Sequence, residues 1–202
     1  MVVRNGVRDP ERAERVRRHE RRNVLHTLTG LLELAEAADF TAGVDEELVR
    51  AHLAGRLMAA DARGVRLRLA VGSSLRRRPD EAWDLITVLG NLIDNAMDAV
   101  AGAGRDEPWV EVALVEHGAE LEIRVTDNGP GVPPRLRRWI FADGASTKRR
   151  PDAGPRGLGL ALIQEIVERR GGSATVTERP GGGAVFTVRL PAPAADRGPA
   201  VR

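Results

Sequence analysis

The stretch V-L-G-N-L-I-D-N-A-M-D-A-V, residues 88–100, decides how the rest of the sequence is interpreted. Its apolar residues recur at helical spacing, so we predict a helix over residues 80–101. The predicted buried stripe consists of Leu85, Val88, Leu92, Ala96 and Ala99. Asparagine is a mediocre helix former, because its side chain competes for backbone hydrogen bonds. Asn91 and Asn95 nevertheless lie one turn apart on one face of this helix, which indicates a functional requirement.

Composition narrows the class of protein. The 202 residues suffice for one domain with a helical appendage, and the net charge of +2 gives no dominant positive field, so nucleic acid is not an expected partner. The absence of cysteine excludes disulfides and thiolate metal sites, and the four histidines lack the spacing of a zinc site. No apolar run is long enough to cross a bilayer, and the first residues lack the apolar core of a signal peptide. We therefore expect a cytoplasmic chain without a membrane segment.

The periodicity of the remaining sequence predicts the other elements. Helical spacing is found over residues 10–39 and 45–62, and strict alternation at Val65, Leu67, Leu69 and Val71 predicts a half-buried strand. Further strands are predicted at 109–115, 121–126, 173–178 and 184–190, with a helix at 159–170. This order predicts an α+β fold, an α/β sandwich in which helices cover one face of a mixed, largely antiparallel sheet.

Two glycine clusters follow the predicted helix. Asp127-Asn128-Gly129-Pro130-Gly131 is, taken alone, ordinary turn sequence. Gly129 and Gly131 also allow the backbone to approach a flat ligand, and a buried Asp127 is able to accept a hydrogen bond from an exocyclic amine such as that of adenine. The second cluster, G-P-R-G-L-G-L at 154–160, ends where a helix begins, and free amides at a helix start bind phosphates.

Together these elements resemble a known family. N-L-I-D-N-A, D-N-G-P-G, I-F-A-D-G-A-S-T-K and R-G-L-G-L are similar, in order and spacing, to the N, G1, F and G2 boxes of the ATP-binding domain of histidine kinases. This Bergerat-type domain is shared with DNA gyrase and mismatch-repair ATPases. The resemblance implies ATP and Mg²⁺ as cofactors, with Asn95 as the metal ligand, Asp127 reading adenine, and a mobile lid from Phe141 to Arg156. The implied nucleotide-binding residues are Asn91, Asn95, Asp127, Gly129, Gly131, Phe141, Thr147, Lys148, Arg156, Gly157, Leu158 and Gly159.

Position 91 separates hydrolases from kinases in this superfamily. In the ATPases that the sequence resembles, the residue four before the metal-binding asparagine is a glutamate that activates water. Asn91 cannot remove a proton. We therefore expect phosphotransfer to another nucleophile rather than hydrolysis.

The segment H-E-R-R-N-V-L-H-T-L-T-G-L-L-E-L, which starts at His19, resembles the phosphoacceptor helix of the citrate and C4-dicarboxylate sensor kinases. The resemblance implies that His19 accepts the phosphoryl group, that Glu20 orients its imidazole and takes its proton, and that Asn23 shares their catalytic face. It also implies a response-regulator receiver domain as partner and a homodimer through the N-terminal helices. The corresponding division of the chain is a disordered N-terminus (1–9), a helical phosphoacceptor segment (10–62), the ATP-binding domain (63–191) and a disordered tail (192–202).

One departure from the family keeps two alternatives open. The family's phosphoacceptor domain is a helical hairpin, whereas residues 41–64 leave room for little more than the helix at 45–62. The return helix of the hairpin is therefore absent or compressed. The alternatives are an ATPase or conformational switch, and a non-catalytic module that binds nucleotide or a regulator.

Overall fold

The computed structural model describes residues 40–76, 79–141 and 158–191. Three helices lie in these ranges: α1 (Glu47–Asp61), α2 (Ala82–Ala101) and α3 (Leu158–Arg170). The five strands are β1 (Arg66–Leu69), β2 (Trp109–His117), β3 (Glu120–Asp127), β4 (Ser173–Glu178) and β5 (Ala184–Pro191). The helix predicted over 10–39 and the disorder predicted at 1–9 and 192–202 lie outside the described residues. In the part of the chain that is described, no helix combines the length and apolarity that crossing a membrane requires.

The strands form one sheet in the order β1-β2-β3-β5-β4. β1 and β2 are parallel and the other neighbours are antiparallel, so the predicted mixed, largely antiparallel sheet is confirmed. The register aligns Val112 with Val125 and Val125 with Phe186, and all three side chains are buried. Because side chains alternate across a strand, these residues define one buried face.

Helix α2 is the central element of the layer on that face. Its buried side chains include Leu85, Val88, Leu92 and Ala96, as predicted, and extend to Leu89, Ile93 and Met97. The stripe is therefore wider than an amphipathic surface helix would show. Ala99, predicted as buried, is only half-buried, because it lies at the end of the helix beside the loop that contains Gly129.

The strand predicted to reach Val71 ends at Leu69, and that part of the prediction was wrong. Val71 is fully exposed, at 106% relative accessibility, whereas Val65 and Leu67 are buried as expected. The chain turns at this point, with the amide of Ser73 donating to the carbonyl of Ala70 over 3.0 Å. Gly72 has a φ of +83°, which favours glycine, so the turn is encoded by the residue directly after Val71.

Helix α1 packs against α2 and β1, and Val49, Leu53 and Ala60 belong to the same core as the sheet. The residues before α1 pair with the segment after β1, where Val44 and Leu75 form an isolated parallel bridge. The predicted domain boundary between residues 62 and 63 thus does not coincide with a gap in the packing.

Candidate functional site

The two asparagines of α2 lie beside the start of α3. Asn91 donates a hydrogen bond from Nδ2 to the carbonyl of Thr87, at 2.8 Å. Its Oδ1 faces Gly159 so closely that a Cβ on Gly159 would overlap it. Asn95, one turn later, is half-buried and makes no side-chain hydrogen bond to any described residue. Its amide oxygen is therefore not committed to another part of the described fold.

Asp127 ends β3 and is 1% exposed. Its Oδ1 accepts hydrogen bonds from the amides of Gly129, at 2.8 Å, and Ala184, at 3.3 Å. Within the described ranges no group donates to Oδ2, so this second oxygen is available to an amine. Burial raises the pKa of Asp127, while the two backbone hydrogen bonds and the charge of Arg179 act in the opposite direction.

The glycines after Asp127 are required by close contacts. A Cβ on Gly129 would lie 2.9 Å from Oδ1 of Asp127 and 3.2 Å from Ala99, so the loop packs directly against the end of α2. Gly131 has a φ of +76°, and a Cβ there would lie 3.0 Å from the carbonyl oxygen of Gly183. The structure therefore places both the start of α3 and the D-N-G-P-G loop against the asparagine helix, α3 at Asn91 and the loop at Ala99.

The turn between β4 and β5 supports this loop, and the sequence did not predict this contact. Gly183 has a φ of +109°, and a Cβ on it would overlap the carbonyl oxygen of Asp127. Arg179 donates to the carbonyl of Gly182, at 2.7 Å, and lies over the ring of Trp109, 5.2 Å from its centroid. The available signal was the run of glycines at 181–183, which is more than a hairpin turn needs.

Asn128 and Arg105 were also missed. The Oδ1 of Asn128 accepts from the amide of Trp109, at 2.9 Å, and its Nδ2 donates to the carbonyl of Glu107, at 2.8 Å. These bonds tie the loop to the beginning of β2. Arg105 reaches the carbonyl of Gly129, at 3.5 Å. Both residues are separated from their partners by about twenty positions in sequence, which local periodicity does not reveal.

The remaining predicted residues divide into two groups. Phe141 is buried in an edge-to-face contact with Phe186, and Leu158 begins α3. Seven others lie outside the described residues, and their assignments stay predictions. They are His19, Glu20, Asn23, Thr147, Lys148, Arg156 and Gly157.

The arrangement fits a nucleotide with a bound Mg²⁺. An uncommitted amide oxygen at Asn95 is a neutral hard ligand of the kind that Mg²⁺ accepts. The side-chain-free loop at Gly129 and Gly131 suits a flat base, and the first amides of α3, which have no partner within the helix, suit phosphates. The fold and this site define a nucleotide-binding α/β sandwich.

Comparison with known families agrees with this class. Residues 81–194 match the family model described as histidine kinase-, DNA gyrase B-, and HSP90-like ATPase. The chain belongs to this family, and the predicted resemblance to the ATP-binding domain of histidine kinases is confirmed.

Relatives with named functions are sensor kinases. The chain is 33% identical over 199 residues to "Sensor protein CitS" of Halalkalibacterium halodurans, covering 89% of this chain and 36% of that protein. It is 33% identical over 201 residues to "Sensor histidine kinase DcuS" of Escherichia coli strain K12, again covering 89% and 36%. The chain thus spans little more than a third of the length of these relatives.

Solved structures share the fold. ThkA in complex with the response regulator protein TrrA superposes with a TM-score of 0.59 at 20% identity, covering 75% of this chain and 41% of that chain. Full-length ShkA in complex with AMPPNP gives a TM-score of 0.57 at 26% identity, covering 71% of this chain and 29% of that chain. These matches confirm the predicted fold class.

Proposed function

We propose that this chain is an ATP-dependent protein-histidine kinase of a two-component system, which phosphorylates His19 and relays the phosphoryl group to an aspartate of a response regulator. Family membership and the sensor-kinase relatives support this class of activity. The observation that carries the proposal is that α2, the helix with Asn91 and Asn95, contacts both the start of α3, at Gly159, and the loop after Asp127, at Gly129.

In this proposal each group of the site has one task. Oδ2 of Asp127 accepts the adenine amine, because Oδ1 is already held by the amides of Gly129 and Ala184. Asn95 ligates Mg²⁺, and the beginning of α3 receives the phosphates together with Thr147, Lys148 and Arg156 of the lid. When bound, ATP supplies the phosphoryl group and Mg²⁺ neutralises phosphate charge.

Asn91 favours transfer to protein over transfer to water. Its Nδ2 is engaged with the carbonyl of Thr87, and an amide has no basic lone pair with which to activate water. The first alternative, an ATPase, needs a base at this position. An external nucleophile that brings its own base is therefore the better match to this site.

His19 with Glu20 supplies that nucleophile. A neutral imidazole nitrogen forms the new N–P bond as the bond from the γ-phosphorus to the bridging oxygen breaks, ADP leaves, and the imidazole proton passes to Glu20. In the helix predicted over residues 10–39, Asn23 shares a face with His19, and we assign it the orientation of the attacking ring. The resulting phosphoramidate has a high transfer potential, which suits a relay to a receiver domain.

The proposed partners follow from the same class. ThkA is described in complex with a response regulator, and we propose that this chain also docks a receiver domain. We further propose a cytoplasmic location and a homodimer through the N-terminal helices.

A second candidate is a nucleotide-binding module that does not phosphorylate itself. It is favoured by the packing of α1 into the core of the ATP-binding unit, which leaves only the residues before Phe40 for a phosphoacceptor segment. The alignments with relatives point the same way: they run over 197 to 206 residues but occupy only 88 to 92% of this chain, so the relatives carry residues without a counterpart here.

Labelling with γ-³²P-ATP and Mg²⁺ tests the proposal. The wild type is expected to acquire a label that acid removes and alkali preserves, whereas His19→Gln and Asn95→Ala remain unlabelled. Asn95→Ala removes part of the ATP site and His19→Gln removes the acceptor, so a measurement of ATP binding distinguishes the two unlabelled variants. Equal labelling of His19→Gln would reject the proposed acceptor, and ATP binding without any label would favour the binding module.

A further inference from the structure

Helix α1 runs beside α2 at the turn that carries the two asparagines. The approach is close at Gly90, where a Cβ would lie 3.0 Å from Nη2 of Arg56 and 3.1 Å from Nε2 of His52. Gly90 directly precedes Asn91. A side chain at this position would have to displace the side chains of Arg56 and His52.

Two ion pairs join the helices along the same line. Arg56 contacts Asp94, with Nη1 2.5 Å from Oδ1, and Arg63 contacts Asp98, with Nη2 2.7 Å from Oδ1. Asp94 and Asp98 are four residues apart and share one face of α2. Asp94 directly precedes Asn95, so the face of α2 that meets α1 adjoins the face that carries the metal ligand.

Arg56 is itself held in place. Its Nε donates to Nε2 of His52, at 3.4 Å, and His52 is buried. Burial, and then the charge of Arg56, lower the pKa of His52 to about 3, so the imidazole is neutral and able to accept this bond. The guanidinium thus has a fixed direction, towards Asp94.

We propose that Arg56 is a positioning residue for the Mg²⁺-ATP site, acting through Asp94 on the turn of α2 that presents Asn95. The inference rests on the proposed function, because it needs Asn95 to be the metal ligand. It assigns a task beyond packing to α1, the last helix of the predicted phosphoacceptor segment (10–62): this helix holds the metal-binding turn.

The chain offers a matched control in the second ion pair. Arg63 and Asp98 join the same two helices and have similar exposure, but Asp98 lies after both asparagines, towards the C-terminal end of α2, whereas Asp94 lies between them. Partly exposed ion pairs contribute little to stability, so removal of either pair should leave the fold intact. A purely structural role would make the two pairs equivalent.

The experiment is calorimetric titration with ATP in Mg²⁺ and, separately, in EDTA. Arg56→Met and Asp94→Asn are each expected to raise the dissociation constant in Mg²⁺ roughly tenfold, as is usual when the support of a metal ligand is removed, and to leave binding in EDTA unchanged. Arg63→Met and Asp98→Asn should stay within about twofold of wild type in both conditions. Arg56→Lys, which keeps the charge, should retain most of the Mg²⁺-dependent affinity.

Equal effects of the two pairs, or a loss for Arg56→Met that is the same in EDTA, would overturn the inference. Asn95→Ala distinguishes failure of the proposed metal site from failure of the positioning role of Arg56. If it leaves Mg²⁺-dependent binding unchanged, the proposed site fails. If it abolishes that binding while Arg56→Met has no effect, only the positioning role fails.

Discussion

Replacement of Gly183 by alanine perturbs the adenine end of the site without replacing a proposed ligand. The new Cβ would overlap the carbonyl oxygen of Asp127 and lie 3.0 Å from Cα of Asn128. Both neighbours are backbone atoms, which cannot rotate away as a side chain would. The strand end that carries Asp127 must therefore shift.

The expected magnitude has two parts. A φ of +109° is strained for alanine, which costs about 1–3 kcal/mol of folding stability whatever the surroundings. The shift also disturbs the hydrogen bond from the amide of Ala184 to Oδ1 of Asp127 and so misdirects Oδ2. Loss of a hydrogen bond from the adenine amine to a carboxylate costs about 1.5–3 kcal/mol, which corresponds to roughly a tenfold to hundredfold weaker affinity for ATP.

Gly181→Ala is the control that separates weaker ATP binding from the cost of backbone strain. Gly181 is in the same turn with a φ of +86°, but a Cβ there would meet only the flexible end of Arg179, at 3.6 Å. Urea denaturation should show destabilisation of both variants, while calorimetric titration with ATP should show weaker binding only for Gly183→Ala. If both folded variants bind ATP within about twofold of each other, the turn does not support Asp127 in the way that the contacts indicate.

Four further predictions concern three other positions, Arg170, Asp127 and Asn91. Arg170→Met removes the cation that lies 2.7 Å from the buried Glu81, so thermal denaturation should show a loss of about 3 kcal/mol; an unchanged midpoint would mean that the pair contributes nothing. Asp127→Asn should keep the hydrogen bonds to Oδ1 but weaken ATP binding at least tenfold or so, because an amide nitrogen cannot accept the adenine amine. Because burial raises the pKa of Asp127 above 3.8, its folded form holds the proton more tightly; the stability of the wild type relative to Asp127→Asn should therefore fall as pH rises through the raised pKa, and a constant difference would contradict this. Asn91→Glu introduces the missing base, and we expect steady phosphate release, about a hundredfold or more above wild type, in a phosphate assay. ATP binding without such release would reject the role assigned to position 91.

Much of the fold was predictable because the buried apolar residues of its helices and strands recur at regular spacing. Helix α2 and the strands β2 to β5 were placed within a few residues of their observed ends, since alternation and helical spacing are local properties. The N, G1 and G2 boxes were recognisable for a related reason. Glycine and asparagine at these positions meet steric and ligand requirements that few other residues satisfy.

What escaped prediction depends on contacts between distant residues. The overlap that makes Gly183 necessary involves Asp127, and the ion pair of Arg56 with Asp94 spans 38 positions. Helical spacing over residues 45–62 predicted a helix but not which surface α1 covers. The prediction that β1 reaches Val71 was wrong for a simpler reason. Alternation of apolar residues continues through a turn as easily as through a strand, and Gly72 was the sign that the strand ends.

The central claim, that the site transfers phosphate to the protein and not to water, is tested most directly by one reaction. Wild-type protein is incubated with Mg²⁺ and γ-labelled ATP, and labelled protein and free phosphate are followed together over time, with the labelled peptide identified under alkaline conditions. The account predicts that label accumulates on the peptide containing His19, while free phosphate appears only as that label is lost. A linear rise of free phosphate without labelled protein would contradict it.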